Sequence, residues 1–332
     1  MSAVRLTHGQ ALAGMVLAPF LWSTAGVVTR QLESAERFEV TFWRSAFAGV
    51  ALVLLLPVLR ALDGSAQRVP ANASLALRWW GISVGSRSFW LSGVCWAVMF
   101  TAFMVALTMT SVAHVLVLLA IGPLLTAVLG RVVLHQVLPL RTWLAVGVAV
   151  LGIVYMFGSQ WIEAMANPAI DSARLLLGTG IALLVPMAGA INWIVVQRSQ
   201  QRGQTIDLVP AVMVGGLLSA AITAPAAWPF QASLSDVTWL GALGVFQLAI
   251  PCALSVLCAK VLKAAEVSLL AQLEVLFGIG LTWALAGEEP ARQVLLGGVV
   301  VMTALLVNEW LGWHDRRSTP RIQTLNSPGD RS

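Results

Sequence analysis

Charge is what this sequence holds least of. Only 11% of its 332 residues are Asp, Glu, Lys or Arg, against roughly 25% in a soluble domain. With 58% hydrophobic residues and a mean hydropathy of +0.83, the chain falls outside the soluble globular class and reads as a polytopic membrane protein. Cysteine is scarce as well. Cys95, Cys252 and Cys258 are an odd number and all lie in apolar runs, which excludes a disulfide framework and a cysteine metal site. There is no HExxH, no Walker loop, no glycine-rich phosphate cradle and no clustered carboxylates. No catalytic residue, no metal and no cofactor is therefore expected, and the chain is not read as an enzyme. The net charge of +5 does not imply nucleic acid, because basic residues in a membrane protein mark its cytoplasmic side.

What is present is a series of long apolar runs. At ~20 apolar residues per crossing, ten spans fit, at 10–29, 39–59, 89–108, 111–134, 142–160, 175–197, 208–227, 239–259, 266–286 and 293–313. The first run is too long for the apolar part of a signal peptide and lacks a clear cleavage site, so it is expected to be a span. Put the N-terminus in the cytoplasm, and the inner segments hold fifteen of the twenty basic residues. The outer ones hold Arg30, Arg37, Arg174 and Arg292, with Arg44 inside span two. That bias predicts both termini in the cytoplasm. Most tryptophans fall near the expected interfaces, as an aromatic belt does. Trp22 and Trp96 lie deeper, either as filler between helices or as cavity lining. In the loop from Arg60 to Ser88, the Leu75–Ile82 part suits a short interfacial helix.

Sliding the chain by 152 residues lays Thr110–Gly152 over Leu262–Ala304, with Pro123 on Val275 and Gln136 on Glu288. The rhythm of short link, long apolar span, polar hinge and second span recurs. Two five-span units are expected, 1–160 and 161–314, with a polar cytoplasmic tail at 315–332. An odd number of spans per unit turns the second copy upside down. The hinges agree: the first carries Arg131 and Arg141 without an acid, the second Glu288 and Glu289 with one arginine. The expected fold is an all-α integral membrane protein of ten transmembrane helices in two inverted five-helix repeats. Inverted repeats are a transporter signature, with the site near the midplane where the repeats meet.

Several stretches carry a family resemblance: Phe42-Trp43-Arg44-Ser45-Ala46-Phe47-Ala48, Thr110-Ser111-Val112-Ala113, Gly122-Pro123, Ala264-Ala265-Glu266-Val267-Ser268, Leu273-Glu274 and Gly287-Glu288. Over about residues 10–312 the chain resembles the EamA family of the drug/metabolite transporter superfamily. It departs from the family at Glu274-Val275, commonly Glu-Pro, and at His135-Gln136, often Gly-Glu. The resemblance implies a central cavity, alternating access, and export of amino acids, other metabolites or toxic compounds, often against a proton gradient. The expected location is the inner (cytoplasmic) membrane.

The candidate site residues come from the polar groups inside spans. Glu274 is the only acid placed deep in one, where an ionisable group costs about 2.5–3.5 kcal/mol on insertion scales. Helical spacing puts it on a face with Ala271, Gly278 and Thr282. It reads as a group that binds a substrate amine or carries a proton, or as a structural acid between helices. Arg44 lies ~7–8 Å to the outer side of the centre of span two, some ~10 Å from Glu274 in depth. It either snorkels outward to Glu36, Glu39 or headgroups, or offers positive potential to a substrate anion or to Glu274. Span eight carries Gln247, Pro251 and Ser255 at i,i+4 steps, one polar stripe. Asn192 lies in span six, Pro19 and Trp22 in span one, and Pro123 near the middle of span four. Kinked helices are tolerated where they line a cavity. His114, at the outer start of span four, reads as a satisfied surface group or as a proton relay.

These readings converge on a secondary active transporter that exports small metabolites. Glu274, Arg44, Trp22, Asn192 and Gln247 are its expected substrate-binding or coupling residues. Pro19, Pro123, Pro251 and Ser255 are the expected kink or cavity-lining residues. The alternatives are a gradient-driven facilitator for a small polar solute and, further off, an intramembrane enzyme. Expected partners are a small-molecule substrate, the lipid bilayer and protons as the candidate coupling ion. Ala145 and Ala149 offer a small-xxx-small pattern for a homodimer.

Overall fold

The computed structural model describes residues 6–62, 74–75, 79–135, 139–166, 172–201, 209–259, 261–262, 270–287 and 289–318, and among these every regular element is helical. In chain order they are α1 (His8–Thr29), α2 (Arg37–Leu62), α3 (Arg87–Met109), α4 (Val112–Leu119), α5 (Gly122–Leu134), α6 (Leu140–Ala166), α7 (Ser172–Gln201), α8 (Val209–Ala227) and α9 (Leu234–Ala242). A π-helical segment (Leu243–Ala249), α10 (Ile250–Ala259), α11 (Leu273–Ala286) and α12 (Arg292–Ser318) follow. Side chains mark several starts. Thr7 and Gln10 form a capping box at α1, Ser86 caps α3 and Ser111 caps α4, each satisfying N–H groups that the first turn leaves orphaned.

Among the described residues, eight helical stretches are long and apolar enough to cross a membrane, and Leu140–Met156 and Leu273–Ala286 are apolar but shorter. The protein is thus a multi-pass membrane protein. Of the expected interfacial helix, residues 76–78 lie outside the described residues; Trp80 Nε1 donates to the Val53 carbonyl at 2.9 Å and holds that loop on α2. The polar tail begins as helix, since α12 runs on to Ser318.

Among the described residues, three apolar helical runs are broken. The expected span four is α4 and α5, interrupted at Ala120–Ile121, with Pro123 in the first turn of α5. Proline has no N–H to give and suits that position. The matching break appears 152 residues on. The helix is interrupted at Gln272, and Val275 donates to the Gln272 carbonyl at 3.1 Å, three residues back. No proline is needed there. The third break is the π segment. Pro251 cannot donate to the Gln247 carbonyl, and Ile250 reaches back five residues to Val245, the widened register of a π-bulge.

Helix packing pairs the two halves of the chain. α3 packs on α7 and on α8; in turn α1 packs on α10 and α2 on the π segment. α4 and α5 pack on α7, and α11 packs on α1. α2 lies on α8, and α6 on α12. Exchange each span of the first half with its counterpart in the second, and this set of contacts maps onto itself. The small residues of span five are used up inside the chain. Ala145 and Ala149 are buried in a core shared with Val294 and Val301 of α12, and a Cβ on Gly297 would stand 2.9 Å from the Gly152 carbonyl oxygen.

Candidate functional site

Arg44 is the organising group. It is only 2% exposed, so it does not snorkel to headgroups or to the outer acids. It sits two turns into α2, whose surface here is pressed by the π segment. A Cβ on Gly244 would stand 2.6 Å from the Arg44 carbonyl oxygen, so only glycine lets the two backbones approach. That approach delivers Gln247. Arg44 Nε donates to Gln247 Oε1 at 2.9 Å, and Gln247 Nε2 donates to the Trp22 carbonyl at 3.1 Å. The guanidinium carbon lies 5.9 Å and 5.8 Å from the ring centroids of Phe100 and Phe103, within cation–π range. Among the described residues its buried NH1 has no hydrogen-bond partner.

Glu274 stands opposite in charge. It lies in the first turn of α11, immediately after the break at Gln272, where the helix dipole favours a negative group. Its side chain is half-buried, and it interacts electrostatically with Arg44. Cys252 belongs to the same cluster, within the field of both charges. The ~10 Å depth difference expected for Arg44 and Glu274 is counted from Glu266, which lies outside the described residues. Around Glu274, Gly278 and Thr282 are buried against α4 and α1, so that face serves close packing. Gln272 Oε1 and Thr282 Oγ1 are buried there without hydrogen-bond partners among the described residues.

The remaining expected residues divide. Trp22 joins the cluster chiefly through its backbone carbonyl. Asn192 does not join it: Ser92 Oγ donates to Asn192 Oδ1 at 2.6 Å between α3 and α7, eight residues or ~12 Å along α3 from Phe100. Ser255 donates to the Cys252 carbonyl of its own helix at 2.9 Å. Its hydroxyl is thus spent on the backbone of α10. Pro19 is buried inside an unbroken α1. Pro123 lines a separate small cavity with Arg141 and Asn308. His114 is not at the surface. It is fully buried, with Nε2 2.9 Å from Thr179 Oγ1; that hydroxyl donates to the Leu175 carbonyl at 2.8 Å, so it accepts from His114.

Sequence reasoning missed a second assembly, at the end of the bundle where α1 meets α2. Asp236 Oδ1 accepts from the Glu33 N–H at 3.0 Å. Its Oδ2 accepts from the Ser34 N–H at 3.0 Å, the Ala35 N–H at 3.1 Å and the Ser34 hydroxyl at 2.7 Å. Glu39 accepts from the Gln231 and Ala232 N–H groups, both at 2.9 Å. Each carboxylate is 1% exposed. Two reciprocal grips thus tie the α1–α2 loop to the α8–α9 loop. Arg30 and Arg174 add ties to the last carbonyls of α3, at Leu107, Thr108 and Thr110. A capping box of Ser233 and Asp236 was the local signal. Nothing local announced the partners some 200 residues away.

The comparison with curated proteins returned no match. One solved crystal structure superposes with a TM-score of 0.56 over 92% of this chain and 99% of its own, at 18% identity. At that identity the likeness concerns the fold alone. A family model described as the EamA-like transporter family matches residues 10–158 and again 176–309. With two such matches over most of its length, the chain belongs to the EamA-like transporter family, within the drug/metabolite transporter superfamily, and is a membrane transporter of small solutes.

Proposed function

We propose that this chain is a secondary active exporter of small metabolites that works by alternating access. Arg44, Gln247 and Glu274 form its substrate and coupling site. The observation that carries this reading is the orphan NH1 of Arg44. A buried charge with an unfilled donor is costly, and an anionic group of a substrate completes its shell. Glu274 supplies the opposite pole, for a substrate amine or for a proton. The substrates are amino acids, related zwitterions or other metabolites that carry an anionic group.

Architecture supports the same reading. α1, α2 and α3 come from one half and the π segment and α11 from the other, so rocking of the halves would remake the Arg44–Gln247 contact. We read the two halves as five-span units, 1–160 and 161–314, in inverted orientation. α6, at ~40 Å long, and α11 with the turn before it supply the two remaining crossings, ten in all. Both termini then face the cytoplasm across the inner membrane. In this topology the carboxylate-tied end is the outer gate, closed in this state.

Thermal stabilisation of purified protein by a ligand panel tests the site. Compounds with a carboxylate should stabilise the wild type and fail to stabilise Arg44→Gln. Equal stabilisation by polyamines, undiminished in Arg44→Gln, would remove Arg44 from the binding site.

A further inference from the structure

Two adjoining hollows lie between α5, α6 and α12, on elements that carry none of the Arg44 cluster. A cavity of about 150 Å³ is lined by Arg141, Thr142, Asn308 and Pro123. It adjoins a groove of about 470 Å³ between α6 and α12, walled by Leu144, Val148, Val300 and Val307. Arg141 and Asn308 line both. A polar pocket opening directly into an apolar groove fits an amphiphile, and the groove's size is that of a ligand pocket, ~300–1,000 Å³.

The chemistry of the polar end fixes the sign of the head. Thr142 Oγ1 donates to Asn308 Oδ1 at 2.9 Å, so what Asn308 has left to offer is N–H donors. The Arg141 guanidinium is a donor only. The matching head is a phosphate diester of net negative charge, with no cationic group beside it for the Arg141 guanidinium to repel. The groove runs from Leu311 to Val299 along α12, ~18 Å at 1.5 Å per residue. One leaflet of a ~30 Å hydrocarbon core is about half that core, ~15 Å. Exposed Trp143 and Trp310 stand near the polar end, where amphipathic rings favour the headgroup level. Basic pockets between transmembrane helices suit anionic lipid heads.

We propose that this composite holds one anionic phospholipid, its phosphate on Arg141 and Asn308 and one acyl chain in the α6–α12 groove. Native mass spectrometry of the full chain, titrated with phosphatidylglycerol or with phosphatidylcholine of the same acyl chains, tests it. Phosphatidylglycerol should bind roughly tenfold more tightly. Arg141→Gln should erase that preference, and Val148→Trp, at an exposed wall position, should weaken both lipids. Inorganic phosphate alone should bind far more weakly than the lipid. Equal binding of the two lipids, a preference retained in Arg141→Gln, or phosphate binding as tightly as lipid would overturn the proposal. So would a wild-type dimer that Val148→Trp dissociates, since a second copy would then fill the groove.

Discussion

Asp236→Asn opens the tied end of the bundle, and its size can be worked from the contacts. The carboxylate takes three backbone N–H groups and one hydroxyl from Glu33, Ser34 and Ala35. Asparagine keeps the shape and one acceptor oxygen. With that oxygen toward Ser34 and Ala35, its amide N–H faces the Glu33 N–H, donor against donor. One hydrogen bond to a charged group, worth ~1.5–3 kcal/mol, is lost, and the others fall from charge-assisted to neutral strength. Because the loop is part-buried, about 2 kcal/mol is the expected loss. At 1.4 kcal/mol per factor of ten, the closed-to-open ratio falls roughly 30-fold. Cys252 reports it, being 1% exposed and beside Arg44. In a background with Cys95→Ser and Cys258→Ser, an impermeant methanethiosulfonate applied from the α1–α2 side should label Cys252 roughly 30-fold faster once Asp236→Asn is added. An unchanged rate in folded protein would refute the latch, leaving Asp236 as a helix cap only.

Three further outcomes follow from single contacts. Gln247→Leu strands the Arg44 Nε beside the already unpartnered NH1 and should cost ~3–5 kcal/mol, seen as a lower unfolding midpoint that Gln247→Glu restores. Gly244→Ala puts a methyl 2.6 Å from the Arg44 carbonyl and should destabilise by ~1–3 kcal/mol, measured by the same unfolding titration. Ser255→Ala should change stability by no more than about 0.5 kcal/mol and leave transport rates unaltered in vesicles, because its hydroxyl serves only its own helix.

Most of the helices were legible because apolar run length dictates them. The breaks were legible only where a proline marked them, as at Pro123 and Pro251; the break at Gln272 has no such residue and shows only through the 152-residue correspondence. The sequence leaves Arg44 open between snorkelling outward and facing inward, because depth along a helix says nothing of which way the side chain turns; its 2% exposure excludes the first. Its partner, Gln247, is 203 residues away. The stripe of Gln247, Pro251 and Ser255 splits by partner: Gln247 bonds Arg44 and the Trp22 carbonyl, whereas Ser255 bonds the Cys252 carbonyl of its own helix. Asn192 looked like a cavity group, yet a buried amide needs partners, and Ser92 supplies one. The Ser233–Asp236 capping box was within reach of local reading. That the same carboxylate would also grip a distant loop was not, because tertiary hydrogen bonds leave no periodic trace.

The central claim, that Glu274 couples transport through the Arg44 cluster, is tested most directly in proteoliposomes with Glu274→Gln. Counterflow exchange of a bound substrate, which needs no net movement of charge or protons, should persist. Acceleration by an imposed pH gradient should vanish. A Glu274→Gln protein that still responds to the gradient like the wild type would contradict the account and reduce Glu274 to a structural acid at the start of α11.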